Sequence, residues 1–141
     1  MKNLVAGVDE VGRGSLIGPV YAAAVILKKD INKTKLKDSK KLNKNQRETL
    51  AKYIKKNAIW AIGFASLNEV EKINILNASL LAMKRAIIKL KKKPNIVLID
   101  GNKSPKIKNY FIKTVIKGDQ KIPEISAASI IAKVSRDKLI T

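Results

Sequence analysis

The chain has 141 residues, 45% of them hydrophobic, and carries 30 Lys and Arg against 11 Asp and Glu, a formal net charge of +19. That length predicts one domain with a real core, and the charge favours a polyanionic partner, nucleic acid ahead of an anionic membrane surface. Cysteine and histidine are both absent, which excludes disulfides, thiolate zinc sites, cysteine nucleophiles and histidine-based triads, and leaves any metal to oxygen ligands that suit magnesium or manganese.

In chain order, Leu4 to Val8 reads as a buried strand, and a glycine-rich turn through Gly18-Pro19 leads into a second apolar run, Val20 to Leu27, paired antiparallel with the first. That run is the longest apolar stretch and is far shorter than the roughly 18 residues of a membrane span. No signal-peptide pattern follows Met1-Lys2-Asn3. The expectation is a soluble, cytoplasmic protein away from membranes. A Lys-rich connection, Lys28 to Lys41, ends at a helix-start signal in which Gln46 follows Asn43 by three residues, and the helix should run to about Asn57 with Leu50, Ile54 and Ala58 inward.

Ile59 to Ala65 predicts a third strand, and Ser66-Leu67-Asn68-Glu69 matches a capping box opening a short helical segment. From Ile75 to Lys92 the stripe Leu76, Leu80, Met83, Ile87, Leu90 marks an amphipathic helix stopped by Pro94. Ile96 to Ile99 is a fourth strand running into Asp100-Gly101, and Thr114 to Ile116 a fifth, closing on Gly118-Asp119. A last helix is expected from Ser126 to about Leu139, with Ala127, Ile130, Ile131 and Val134 inward and Ser129, Lys133 and Arg136 on another face. This order of elements predicts an α/β protein: a mixed central sheet of about five strands flanked by helices.

Seven of the eleven acids sit in polar or helical contexts where solvation or capping explains them. Asp9, Glu10, Asp100 and Asp119 instead follow apolar, strand-like runs, and strand ends of this kind converge on one crevice in sheets with parallel crossovers. Two carboxylates about 4 Å apart repel by roughly 4 kcal/mol at an effective dielectric near 20, so such a cluster calls for cations or raised pKa values. Two divalent ions could activate water and stabilise a leaving oxygen in phosphodiester hydrolysis, which also suits a basic chain. Taken singly, Asp100 and Asp119 are better explained as turn residues, since Asp-Gly and Gly-Asp are common turn dipeptides. Gly12-Arg13-Gly14 beside the acids could expose backbone amides to a phosphate or a sugar hydroxyl, or could be a plain flexible loop.

Five blocks in order carry a family resemblance: Gly7 to Gly14 with Gly18-Pro19-Val20, Asp38 to Leu42, Leu98 to Gly101, Gly118-Asp119, and Ile125 to Asp137. Together they resemble the successive motifs of bacterial ribonuclease HII. The resemblance implies a ribonuclease H-like fold and an endonuclease that cuts the RNA strand of RNA–DNA hybrids. It further implies cleavage 5′ to single ribonucleotides in duplex DNA, leaving a 3′-hydroxyl and a 5′-phosphate. It places two magnesium or manganese ions on Asp9, Glu10, Asp100 and Asp119, and reading of the 2′-hydroxyl on Gly12, Arg13 and Gly14. Lys40, Lys41, Ser126, Ser129 and Lys133 follow as phosphate contacts, from position and charge.

Members of that family continue beyond the segment matching Arg136-Asp137 into a helical portion that supplies a tyrosine near the ribonucleotide. Tyr21, Tyr53 and Tyr110 do not occupy that motif. The expectation is therefore a monomeric, single catalytic domain over residues 1–141, incomplete on its C-terminal side, with apolar surface uncovered on the last helix. A non-catalytic basic nucleic-acid-binding module, or an inactive fragment of such an enzyme, is the alternative that the charge alone would support.

Overall fold

The computed structural model describes residues 3–12, 18–36 and 41–140, with the side chains of residues 139 and 140 left aside. Strands β1 (Val5–Val11), β2 (Val20–Leu27), β3 (Ala58–Ala65), β4 (Ile96–Asp100) and β5 (Ile112–Val115) form one sheet in the order β3-β2-β1-β4-β5. β1 pairs antiparallel with β2 and parallel with β4, so the sheet is mixed as the sequence predicts. β1 is longer than expected. Its ladder with β2 continues to Val11 opposite Tyr21, which puts Asp9 and Glu10 inside the strand rather than after it. β5 is also displaced: its pairing with β4 begins at Val97–Ile112 and ends at Asp100–Val115, leaving Ile116 outside and 64% exposed.

Helix α1 (Lys44–Lys56) opens with the anticipated capping box, Asn43 Oδ1 accepting from Gln46 N at 2.8 Å and Gln46 Oε1 from Asn43 N at 2.9 Å. Helix α2 (Leu67–Lys89) opens the same way on Ser66 and Glu69. The two helical segments expected here are both present, meeting end to end at a kink at Asn74, whose non-helical backbone has φ 69° and ψ 169°. Asn74 Oδ1 accepts from Asn77 N at 3.0 Å and so caps the second half from within. The helix ends at Lys89, before Lys92, so Pro94 is not what stops it.

α2 covers one face of the sheet. Met83, Ile87 and Leu90 are buried as the stripe predicts, while Leu76 and Leu80 are only half-buried. The closest approach falls to Ala78, Ala82 and Ala86: at Gly63 of β3 an added Cβ would overlap the backbone of Ala82 and Ala86. From α2, Arg85 donates to Phe64 O at 2.8 Å and Lys89 to Ile62 O at 3.3 Å, so two cations one helical turn apart engage carbonyls of the edge strand.

The other face is covered by α1 and α4 (Pro123–Ile140), with α3 (Gly118–Lys121) just before the latter. α4 begins at Pro123, three residues earlier than expected, with proline at a position where its missing N–H costs nothing. At Gly7 of β1 an added Cβ would overlap the Glu124 and Ile125 backbone, so the start of α4 rests directly on the strand. Every residue from Ile125 to Ala132 is buried, as is Val134. The described apolar side chains of this helix are therefore covered, contrary to the expectation of an uncovered apolar side. Exposed large hydrophobic residues lie elsewhere, on Trp60, Phe64, Phe111 and Ile116 among others.

Candidate active site

β1, β4 and β5 all run toward the same end of the sheet, and Val8 pairs with Ile99, so the next residues, Asp9 and Asp100, stand side by side on adjacent parallel strands. Strand alternation decides which acids share a face. Gly7, Asp9 and Val11 face α4, whereas Glu10 alternates to the α2 face with Ala6 and Val8.

Asp9 is 8% exposed. Burial first, then the Asp100 carboxylate and the Glu10 charge, push its carboxyl up to about 8, against hydrogen bonds from the Glu10 N–H and the Ser129 hydroxyl that favour the ionised form. The Glu10 N–H donates to Asp9 Oδ1 at 2.8 Å. Asp100 is fixed by Gly118, whose N–H donates to Asp100 Oδ1 at 2.7 Å. Gly118 is buried against Ile125, where an added Cβ would meet Ile125 Cδ1, and Lys117 before it adopts a left-handed φ of 54° that starts the short helix α3. Asp119 lies in the first turn of that helix, next to the residue that holds Asp100.

The structure thus brings Asp9 and Asp100 together, places Glu10 next in the strand on the opposite face, and carries Asp119 on α3. Among the described residues no three acids stand close enough to share one ion. The donor set nevertheless suits a hard divalent cation. Asp9 and Asp100 are oxygen ligands, and an adjacent positive charge would relieve the repulsion and desolvation that keep Asp9 protonated.

Gly12 follows β1 with a φ of +101°, and an added Cβ would stand 2.9 Å from both Arg136 Nε and Pro19 O. Arg13, Gly14 and Lys40 lie outside the described residues. Lys41 is exposed ahead of α1, and Lys133 is half-buried on α4. Two expected phosphate contacts are placed differently. Ser126 is buried and its hydroxyl donates to Leu36 O at 2.9 Å, and Ser129 is buried against Asp9 rather than on an outer face. Both face inward because α4 is enclosed on nearly all sides, so helical spacing alone could not say which residues were outside. Gly7, Gly118 and Ser129 are the positioning residues that sequence reasoning missed in this role; only the glycine of Gly118-Asp119 gave a signal, read there as a turn. A cavity of about 730 Å³ lined by Leu4, Ile26, Ile59 and Lys28 lies at the other end of the sheet, away from the acids.

The family described as Ribonuclease HII matches the chain over residues 6–141. The Ribonuclease HII of Pelagibacter ubique is 76% identical over 138 residues, covering 98% of this chain and 74% of the relative. That of Nitrosospira multiformis is 55% identical over 134 residues, covering 94% of this chain and 67% of the relative. Among solved structures, the ribonuclease HII of a PCNA complex from Archaeoglobus fulgidus superposes with a TM-score of 0.83 at 32% identity, over 97% of this chain and 74% of that one. The ribonuclease H2 of Pyrococcus horikoshii gives 0.82 at 30% identity with the same coverage. The chain spans about two thirds to three quarters of the length of these relatives. On the sheet order, the paired strand-end acids and these matches, the chain has a ribonuclease H-like fold and belongs to the ribonuclease HII family of endonucleases.

Proposed function

We propose that the chain hydrolyses the RNA strand of RNA–DNA hybrids and cuts 5′ to ribonucleotides embedded in duplex DNA, leaving a 3′-hydroxyl and a 5′-phosphate. The observation that carries this reading is the Asp9–Asp100 pair, side by side on two parallel strands with Asp9 buried, in a chain of charge +19. Bound magnesium or manganese, two ions in this reading, would supply water activation and stabilisation of the leaving oxygen; Asp9 and Asp100, which stand together, would hold it, and the family resemblance adds Glu10 and Asp119, which lie on the opposite face and on α3.

The chain's own residues do the positioning. Gly118 N–H and the Ser129 hydroxyl orient the two central carboxylates, and the Ser129 hydroxyl favours the ionised form of Asp9. The tight packing at Gly7 and Gly118 keeps α4 and α3 against the strands that carry those acids. Gly12, with Arg13 and Gly14, would present the turn that meets the 2′-hydroxyl, the group that distinguishes RNA from DNA. Lys41 and Lys133, together with Lys40, supply charge for the phosphate backbone.

The test is cleavage of a duplex containing one ribonucleotide beside an all-DNA duplex of the same sequence, with magnesium or manganese and with chelator. Cutting confined to the first duplex in the presence of metal is expected. Cutting that ignores either the ribonucleotide or the chelator would overturn the reading.

A further inference from the structure

An aromatic pair stands on the same end and the same face of the sheet as Asp9. Asp9, Ala23 and Ile62 form one row across β1, β2 and β3, and Val11, Tyr21 and Phe64 form the next row toward the strand ends. The Tyr21 and Phe64 rings stack with centroids 5.7 Å apart and planes inclined by 22°. Phe64 is 45% exposed on the outermost strand, so the outer member of the stack remains open. Further along the same face of β3, Trp60 is 37% exposed with Lys55 Nζ 4.6 Å from its ring centroid.

The surroundings are basic. Arg85 and Lys89 bind the Phe64 and Ile62 carbonyls at the strand edge, and the one acid among these contacts, Glu69, is bound by Arg85 at 2.6 Å. Burial and the nearby Lys138 charge hold the Lys55 ammonium below the ordinary lysine range. With carbonyls of the edge strand already engaged, addition of a further strand there is disfavoured. An apolar ring rimmed by cations fits a polyanion that also presents apolar rings, which describes the sugars and bases of nucleic acid better than a protein surface.

We propose that the Tyr21–Phe64 stack is a platform for the nucleic-acid substrate flanking the cleavage site, with Phe64 packing on a sugar or base face. This rests on the reading of the chain as a nuclease. Two strand spacings separate β3 from β1, about 10 Å, which corresponds to about three base-pair steps along a duplex lying across the strand ends. The contact therefore falls outside the cleaved step and sets affinity and register rather than chemistry.

Binding is measured by fluorescence anisotropy of a duplex with one ribonucleotide, in an Asp100→Asn background so that turnover is not needed. Phe64→Ser is expected to weaken binding about fivefold to tenfold, a typical value for one lost aromatic contact, while Phe64→Tyr keeps parental affinity. Phe64→Leu, apolar without the ring, should lose the same affinity and covers the case in which the serine variant fails to melt cooperatively. In the active chain KM should rise with kcat changed by less than about twofold, as for a contact made equally in the ground and transition states. Trimming the duplex to two base pairs on the contacted side should erase the difference. Equal affinity of the parent, Phe64→Ser and Phe64→Leu for the long duplex would overturn the proposal, as would a change confined to self-association in sedimentation. A parent chain that binds in a Phe64-dependent manner yet never cuts would overturn the nuclease reading and leave the platform standing.

Discussion

Because burial and the neighbouring Asp100 push the Asp9 carboxyl from 3.8 up to about 8, its protonation differs between the folded and unfolded chain. An acid whose folded pKa is raised contributes stability that is fully present below its unfolded value and is lost as pH rises through the folded one. The metal-free protein should therefore lose thermal stability from about pH 4 to about pH 8, and Asp9→Asn should flatten that part of the profile. Melting curves in chelator across the interval check it; a slope that survives in Asp9→Asn would assign the loss to other groups. Added magnesium or manganese should restore stability at the alkaline end, since cation and proton compete for the same oxygens. A second residue-scale test concerns Ser79, whose hydroxyl is buried in α2 with no hydrogen-bond partner among the described residues. Ser79→Ala removes that group and improves helix propensity, so denaturant unfolding should show a gain of about 0.5–1 kcal/mol. The pairing of Asp9 with Asp100 was legible in the sequence because each follows an apolar run that forms a strand. The hydrogen bonds that orient them were not, since Ser129 and Gly118 reach Asp9 and Asp100 only through contacts between distant segments.

At the scale of elements, α4 depends on the absence of a side chain at Gly7, where an added Cβ would overlap the backbone of Glu124 and Ile125. Backbone cannot move aside as a flexible side chain can. Gly7→Ala should therefore cost about 3 kcal/mol or more, or prevent folding, measured by urea unfolding. Gly118→Ala meets the side-chain end of Ile125 instead, which can shift, so its effect should be milder on stability and stronger on activity through displacement of Asp100. The sequence announced both capping boxes because their residues are three apart and act locally. It did not announce the continuation of β1 through the acids, the register of β5 or the internal cap at Asn74. The first two are set by pairing with β2 and β4, and the third by a single backbone torsion.

For the whole molecule, a charge of +19 makes association with a hybrid duplex strongly salt-dependent, and log affinity should fall linearly with log salt concentration. That property belongs equally to a basic binding module, so it cannot by itself distinguish a nuclease. The adjacent acid pair can. A surface built only to hold polyanion has no use for two carboxylates forced together at a strand end, where they repel the ligand and each other. Mixed-sheet class and helix positions were legible from apolar periodicity, whereas the assignment of Asp9 and Glu10 to opposite faces needed the observed strand limits. The most direct measurement compares Asp100→Asn with the parent chain for binding and for single-turnover cleavage of a duplex carrying one ribonucleotide. The expected result is a fall in cleavage of at least about two orders of magnitude with affinity unchanged or slightly raised, because a carboxylate is lost and the basic surface remains. Undiminished cleavage in Asp100→Asn would contradict the assignment of the Asp9–Asp100 pair as the catalytic centre.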